Sequence, residues 1–198
     1  MAIVKIDPRR LPGPWVEGFV LERRHTVSAE FLGHDSYGHP QFDTTRSELG
    51  ELIFRLKNRS DRDTLPAIAD TAADFVRRRL PQLEAVVPVP PSRRRPFQPV
   101  VEVAKALAER LSVPALTRAV AKTKETPQLK DVFGYDERKT LLDGVFSFDR
   151  RVIEGRRLLL VDDLYRSGAT AGVVAQGLID AGAAAVYFLA ITKTRAKA

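Results

Sequence analysis

Cysteine is missing from all 198 residues, which excludes disulfides, thiol catalysis and a cysteine-ligated zinc while leaving the redox compartment open. Also missing is any apolar run near the ~20 residues a membrane helix needs, and the N-terminus lacks the apolar centre of a signal peptide. A cytoplasmic protein without membrane contact is therefore expected. Acid is in deficit: 32 Lys and Arg against 25 Asp and Glu give a formal net charge of +7 and a pI near 9.9. Such a surplus suits nucleic acid and equally a small molecule bearing a pyrophosphate. No DNA- or RNA-binding motif is present, so nucleic acid is a compatible partner that no motif supports. At 198 residues, 44% of them hydrophobic, the chain is long enough for one substantial core and short for two.

The most informative stretch is 158–170, LLLVDDLYRSGAT. Four consecutive apolar residues, Leu158 to Val161, are too few for a helix and too continuous for a half-exposed strand. They predict a strand buried on both faces of a parallel sheet. Beyond the turn, Val173, Val174, Leu178 and, on the flank, Ile179 recur at helical spacing, so the segment reads strand, loop, helix. In an open α/β sheet the ligand crevice lies beyond the carboxyl ends of the strands, where Asp162 and Asp163 are expected. A loop entering a helix N-terminus points free N–H groups and a positive dipole end at its ligand. Arg166, Ser167, Gly168, Ala169 and Thr170 can therefore cradle a phosphate. Two carboxylates tolerate a phosphate nearby when a neutral, hydroxyl-bearing group separates them. A ribose 5-phosphate meets that demand, its hydroxyls donating to the acids and its phosphate lying in the loop.

Upstream, the prolines and glycine of residues 1–14 predict an irregular lead-in. Residues 15–32 alternate well enough for two short antiparallel strands joined near 23–26. His34, Asp35 and His39 lie in a polar turn built by Gly33, Gly38 and Pro40, and that reading is preferred to a metal site. Thr45 or Ser47 caps a helix with Leu49, Leu52, Ile53 and Leu56 on its apolar face, ending at the basic turn 57–59. A second helix over about 66–80 turns Ile68, Ala72, Phe75 and Val76 inward, and Arg77 to Arg79 form its solvated end. Residues 85–89 predict a buried strand closed by prolines, with three arginines just past it. A helix carrying Val100, Val103, Leu107 and Leu111 follows, and 113–121 is expected to return as the next strand by a right-handed crossover. The polar stretch 122–143 is long enough to be a functional or disordered loop. Residues 145–148 and Val152 lead into the strand at 158, and 184–191 predicts the last parallel strand.

LLLVDDLYRSGAT resembles the phosphoribosyl-pyrophosphate (PRPP) signature of the type I phosphoribosyltransferases. From about residue 49 to 195 the order of features is similar to the ComF-like branch of that family. The supporting segments are RLKNRSD at 55–61, VPVPPSRRRPFQ at 87–98, and TPQL at 126–129 with the later Arg138 and Phe146. This chain departs from the branch at Arg95, Pro96, Phe97, Gln98 where Arg-Gly-Phe-Asn-Gln is usual, and at Leu141 where asparagine is typical. It also lacks the four-cysteine zinc module that often precedes such chains.

The resemblance implies an α/β fold with an open parallel sheet flanked by helices, a small N-terminal β/α hood over residues 1–83 and the phosphoribosyltransferase-like core over 84–198. It implies transfer of ribose 5-phosphate from PRPP to a small-molecule acceptor with inversion and loss of pyrophosphate, Mg²⁺ being carried by PRPP and not by a direct protein ligand. Asp162 and Asp163 would act at the ribose and 166–170 at its phosphate. Pro91, Ser92, Arg93, Arg94 and Arg95 would meet the pyrophosphate, to which guanidinium forks are suited. Lys124, Gln128, Lys130 and Arg138 would ride on a flexible loop closing over the site. A homodimer is compatible with the sequence. The alternative is a catalytically silent PRPP- or nucleotide-binding accessory protein linked to DNA uptake or repair.

Overall fold

The computed structural model describes residues 3–91, 96–124, 141–142 and 144–194. Among these, β1 (Arg9–Arg10), β2 (Gly18–Glu22), β5 (Ala85–Pro88), β8 (Arg157–Tyr165) and β9 (Ala185–Lys193) form a central sheet in the order β1-β2-β9-β8-β5. The four longer strands run parallel, and only the two-residue edge β1 is antiparallel. Helices cover both faces, as an open parallel sheet requires.

Alternation along β8 divides the core. Leu159 and Val161 pack with Leu189 and Ile191 against α1 (Glu48–Arg59), α2 (Leu65–Arg79) and α3 (Pro99–Leu111). Leu158 and Leu160 point the other way, with Phe188 and Ala190, onto α5 (Ala169–Asp180) through Val174 and Leu178. These helices form where the sequence predicts them. Ser47 caps α1 by accepting from Gly50 N at 3.1 Å, Pro66 lies in the first turn of α2, and Ile179 lies on the exposed flank of α5.

Two expectations are corrected. Residues 15–32 do not form a hairpin. All five residues of Gly18–Glu22 are buried, and they pair in parallel with β9 from Gly18↔Phe188 to Glu22↔Thr192. The continuous apolar run Phe19, Val20, Leu21 demands cover on both faces, which a two-stranded ribbon cannot give. The alternating part is β3 (Thr26–His34), which pairs antiparallel with β4 (Pro40–Arg46) across the turn at 35–39. Asp35 builds that turn, its carboxylate accepting from Tyr37 N at 2.9 Å and His39 N at 2.8 Å. Both hydrogen bonds help hold the Asp35 carboxyl below the usual carboxylate range, that from His39 N most.

Nor does 113–121 return as a strand of the main sheet. It makes a single bridge, Ala115 to Val86, because Pro114 has no N–H to extend a ladder. The chain then peels away as β6 (Val120–Lys122), antiparallel to β7 (Phe146–Phe148). The short helix α4 (Arg150–Ile153) connects β7 to β8.

Candidate functional site

The acid pair lies inside the sheet ladder and not beyond it. The register of β8 with β9 continues past Asp162↔Ala190 and Leu164↔Thr192 to Tyr165↔Lys193, because β9 is itself long enough to supply partners. Asp162 and Asp163 are still at the carboxyl end of the strand. The chain then leaves through Arg166, Ser167 and Gly168 into α5. Gly168 holds φ at 79°, and a Cβ added there would come within 2.4 Å of the Tyr165 hydroxyl. Glycine is required twice over, by the left-handed backbone and by the close approach of the ring. Arg166 is exposed, Ser167, Gly168 and Thr170 are half-buried and Ala169 is buried. Ser167 Oγ accepts weakly from Ala169 N at 3.5 Å. The first turn of α5 carries no acidic residue, so the positive end of the helix dipole is not offset there.

Strand alternation separates the two carboxylates. Asp163 continues the Leu159, Val161 series toward α1, and Asp162 continues the Leu158, Leu160 series toward the α5 face. Asp163 is buried, and both of its oxygens accept from Lys57 Nζ of α1 at 3.2 Å. Asp162 is half-buried, and its carboxyl is pushed up to about 7, first by burial and then by the neighbouring Asp163, with Lys57 acting in the opposite direction. Leu164 N reaches Asp162 Oδ1 at 3.5 Å.

Behind Asp163 stands a polar chain. The fully buried Thr192 donates its hydroxyl to Asp163 O at 3.3 Å, and His25 Nδ1 lies 3.1 Å from Thr192 Oγ1. With that hydroxyl proton committed, the imidazole donates from Nδ1 and keeps a lone pair on Nε2. His25 is pulled below its ordinary pKa by burial, then by the Arg46 and Lys57 charges. Its carbonyl packs against α1, where a Cβ on Gly50 would approach it to 2.3 Å.

The structure thus brings Asp162, Asp163 and residues 166–170 together. Pro91, half-buried, follows the end of β5, whose Pro88 pairs with Val161. Lys124 is exposed. Ser92, Arg93, Arg94 and Arg95, like Gln128, Lys130 and Arg138, lie outside the described residues. Sequence reasoning missed Lys57, taken as part of a basic helix end, and also His25 and Thr192. A signal for Lys57 was present: it falls four residues after Ile53 and eight after Leu49, on the buried stripe where a lysine needs a partner.

No family model matches the sequence, and no curated protein matches it. Solved structures with a similar chain path include the glutamine phosphoribosylpyrophosphate amidotransferase of B. subtilis complexed with ADP and GMP. It is 19% identical, with a TM-score of 0.49, over 78% of this chain and 34% of that one. Adenine phosphoribosyltransferase of Saccharomyces cerevisiae is 15% identical, with a TM-score of 0.47, over 84% of each chain. A hypothetical protein of Neisseria gonorrhoeae with bound ppGpp is 17% identical, with a TM-score of 0.44, over 69% of this chain and 71% of that one. The chain spans about a third of the length of the first, 34%. At these scores the likeness decides nothing about activity.

Proposed function

We propose that the protein binds PRPP and transfers its ribose 5-phosphate unit to a small-molecule acceptor, releasing pyrophosphate. The observation that carries this reading is the acid pair at the carboxyl end of a buried parallel strand, one short loop away from a helix N-terminus free of acid. A ribose lying over the strand end donates its hydroxyls at the acid pair, while its 5-phosphate accepts from the N–H groups and hydroxyls of 166–170. The bond from the anomeric carbon to the pyrophosphate breaks and a bond to the acceptor's nucleophilic atom forms on the opposite face. The electron pair leaves with pyrophosphate, and the nucleophile gives up its proton. Positive charge grows on the ribose ring as the leaving group departs, so carboxylates close to it stabilise the transition state.

No three His, Cys, Asp or Glu side chains gather as a metal-ligand set among the described residues. Asp163, moreover, is engaged by Lys57. Mg²⁺ arriving with PRPP would take its oxygens from the substrate and water and would neutralise the leaving pyrophosphate. The order of features after residue 49 supports a ComF-like place within this class.

A silent PRPP-binding module is the second reading, favoured by the departures at Pro96, Gln98 and Leu141, which fall on the side expected to meet pyrophosphate and acceptor. The test is pyrophosphate release from PRPP with Mg²⁺ and a panel of nucleobases and amines. Release with one of them is the expected result. PRPP binding without release selects the silent module, and neither binding nor release overturns both.

A further inference from the structure

The acid pair is not symmetric. Asp163 is buried against α1, with both oxygens 3.2 Å from Lys57 Nζ and its own carbonyl accepting from Thr192. Asp162 receives no side-chain donor among the described hydrogen bonds, only the backbone amides of Leu164 and Asp163. Lys57 is two-thirds buried, its side chain 33% exposed. It is carried on the apolar face of a helix whose Ile53 and Leu56 are buried in the core. The stem of this lysine is therefore anchored by packing, and its ammonium is directed at one carboxylate of the two.

We propose that Lys57 is a positioning residue of the site, holding Asp163 as a fixed counter-ion on the α1 face so that Asp162 alone accepts from the ligand's ribose hydroxyls. This division rests on the ribose 5-phosphate reading, and it makes the N-terminal helix α1 part of the site's chemistry. The charged groups around the pair come from every neighbouring element. Lys57 reaches it from α1, and His25 faces it from the β2–β3 connector with Arg46 of β4 and Glu51 of α1 beside it. Lys193 of β9 lies over the Tyr165 ring at 5.6 Å, and Arg166 is in the loop, while the first turn of α5 brings no acid. Of these, Lys57 is the one in ion-pair contact.

The Lys57 charge favours the ionised form of the Asp162 carboxyl, acting against burial and against Asp163. Only the ionised form of Asp162 is a pure acceptor for hydroxyls. Removing the Lys57 charge raises the pH at which Asp162 ionises and drags the acidic limb of ligand binding upward with it. A lysine that served packing alone would weaken binding equally at every pH.

The experiment follows the Asp162 carboxyl by carbon-13 NMR in the ligand-free protein, assigned with Asp162→Asn, and measures ribose 5-phosphate affinity from pH 5.5 to 9. Lys57→Met is expected to move both midpoints up, with affinity falling about threefold or more at pH 7 and recovering toward pH 9. Lys57→Arg should follow the parent, and Lys57→Gln replaces Lys57→Met if the latter does not fold. An unmoved carboxyl midpoint in a folded neutral variant overturns the clamp. A moved midpoint with an unmoved binding profile overturns the assignment of the ribose to Asp162. If ribose 5-phosphate binds no form of the protein, the functional reading fails, while the ligand-free titration still decides the clamp.

Discussion

Two strands of nine residues each, β3 and β8, show opposite ways of holding an extended chain. β8 is sandwiched between two helical layers, with Leu158, Leu159, Leu160 and Val161 fully buried. β3 is exposed along most of its length and pairs with β4, with Phe31 and Leu32 more than half in solvent. Burial on two faces fixes the register of β8, since a slip by one residue would exchange the two carboxylates between faces. A ribbon like β3–β4 gains little from either face, so its sequence is free of that constraint. The site belongs to the first kind of strand, and its geometry inherits the rigidity of the core.

The difference should appear most strongly in Leu160→Ala. Truncating a wholly buried leucine in β8 is expected to cost about 3 kcal/mol by denaturant unfolding, and a loss below about 1 kcal/mol would show that the strand is not the packed centre it looks.

Next comes Gly168→Ala, which places a side chain at φ 79° and 2.4 Å from the Tyr165 hydroxyl. About 2 kcal/mol of stability should be lost, and PRPP affinity by calorimetry should fall at least tenfold because the loop can no longer close on the phosphate. Unchanged affinity would remove the loop from the site.

Asp162 sharpens the comparison through pH. Its carboxyl is raised to about 7 in the folded protein, so the folded state holds a proton that the unfolded chain releases at the ordinary carboxylate value. Stability therefore falls as pH rises between those two values, and the penalty is fully present above the folded one. Asp162→Asn should remove this slope, giving about 1 kcal/mol or more of added stability at pH 8 and no charge-derived gain at pH 4. Thermal unfolding at both pH values checks it, and equal shifts at the two would contradict the burial of the carboxyl.

The smallest effect is expected in the ribbon. Leu32→Ser, at a position 67% exposed, should change stability by no more than about 0.5 kcal/mol. A larger loss in dilute solution would mean that β3 packs on something.

The contrast also explains what the sequence made legible. Leu158 to Val161 could be read as a doubly buried strand because four consecutive apolar residues admit few other structures, and Gly168 marked the turn after it. Ser47 and Pro66 marked helix starts by local chemistry alone. Pairing was less readable. β2 was expected beside β3 because they are close in the chain, yet it lies beside β9, a partner some 170 residues away, as in Gly18↔Phe188. Local alternation cannot encode that choice. The unequal surroundings of Asp162 and Asp163 were hidden for a related reason. Adjacent letters in the sequence become opposite faces of a sheet, and the lysine that distinguishes them comes from a helix 106 positions earlier.

The central claim is that the end of β8 and the loop into α5 bind the ribose 5-phosphate end of PRPP. Isothermal titration calorimetry of PRPP with Mg²⁺ against the parent protein and Asp162→Asn tests it most directly. Saturable binding at one site per chain, weakened more than about tenfold in the variant, is the predicted result. No binding to the parent, or equal affinity in the two proteins, would contradict it.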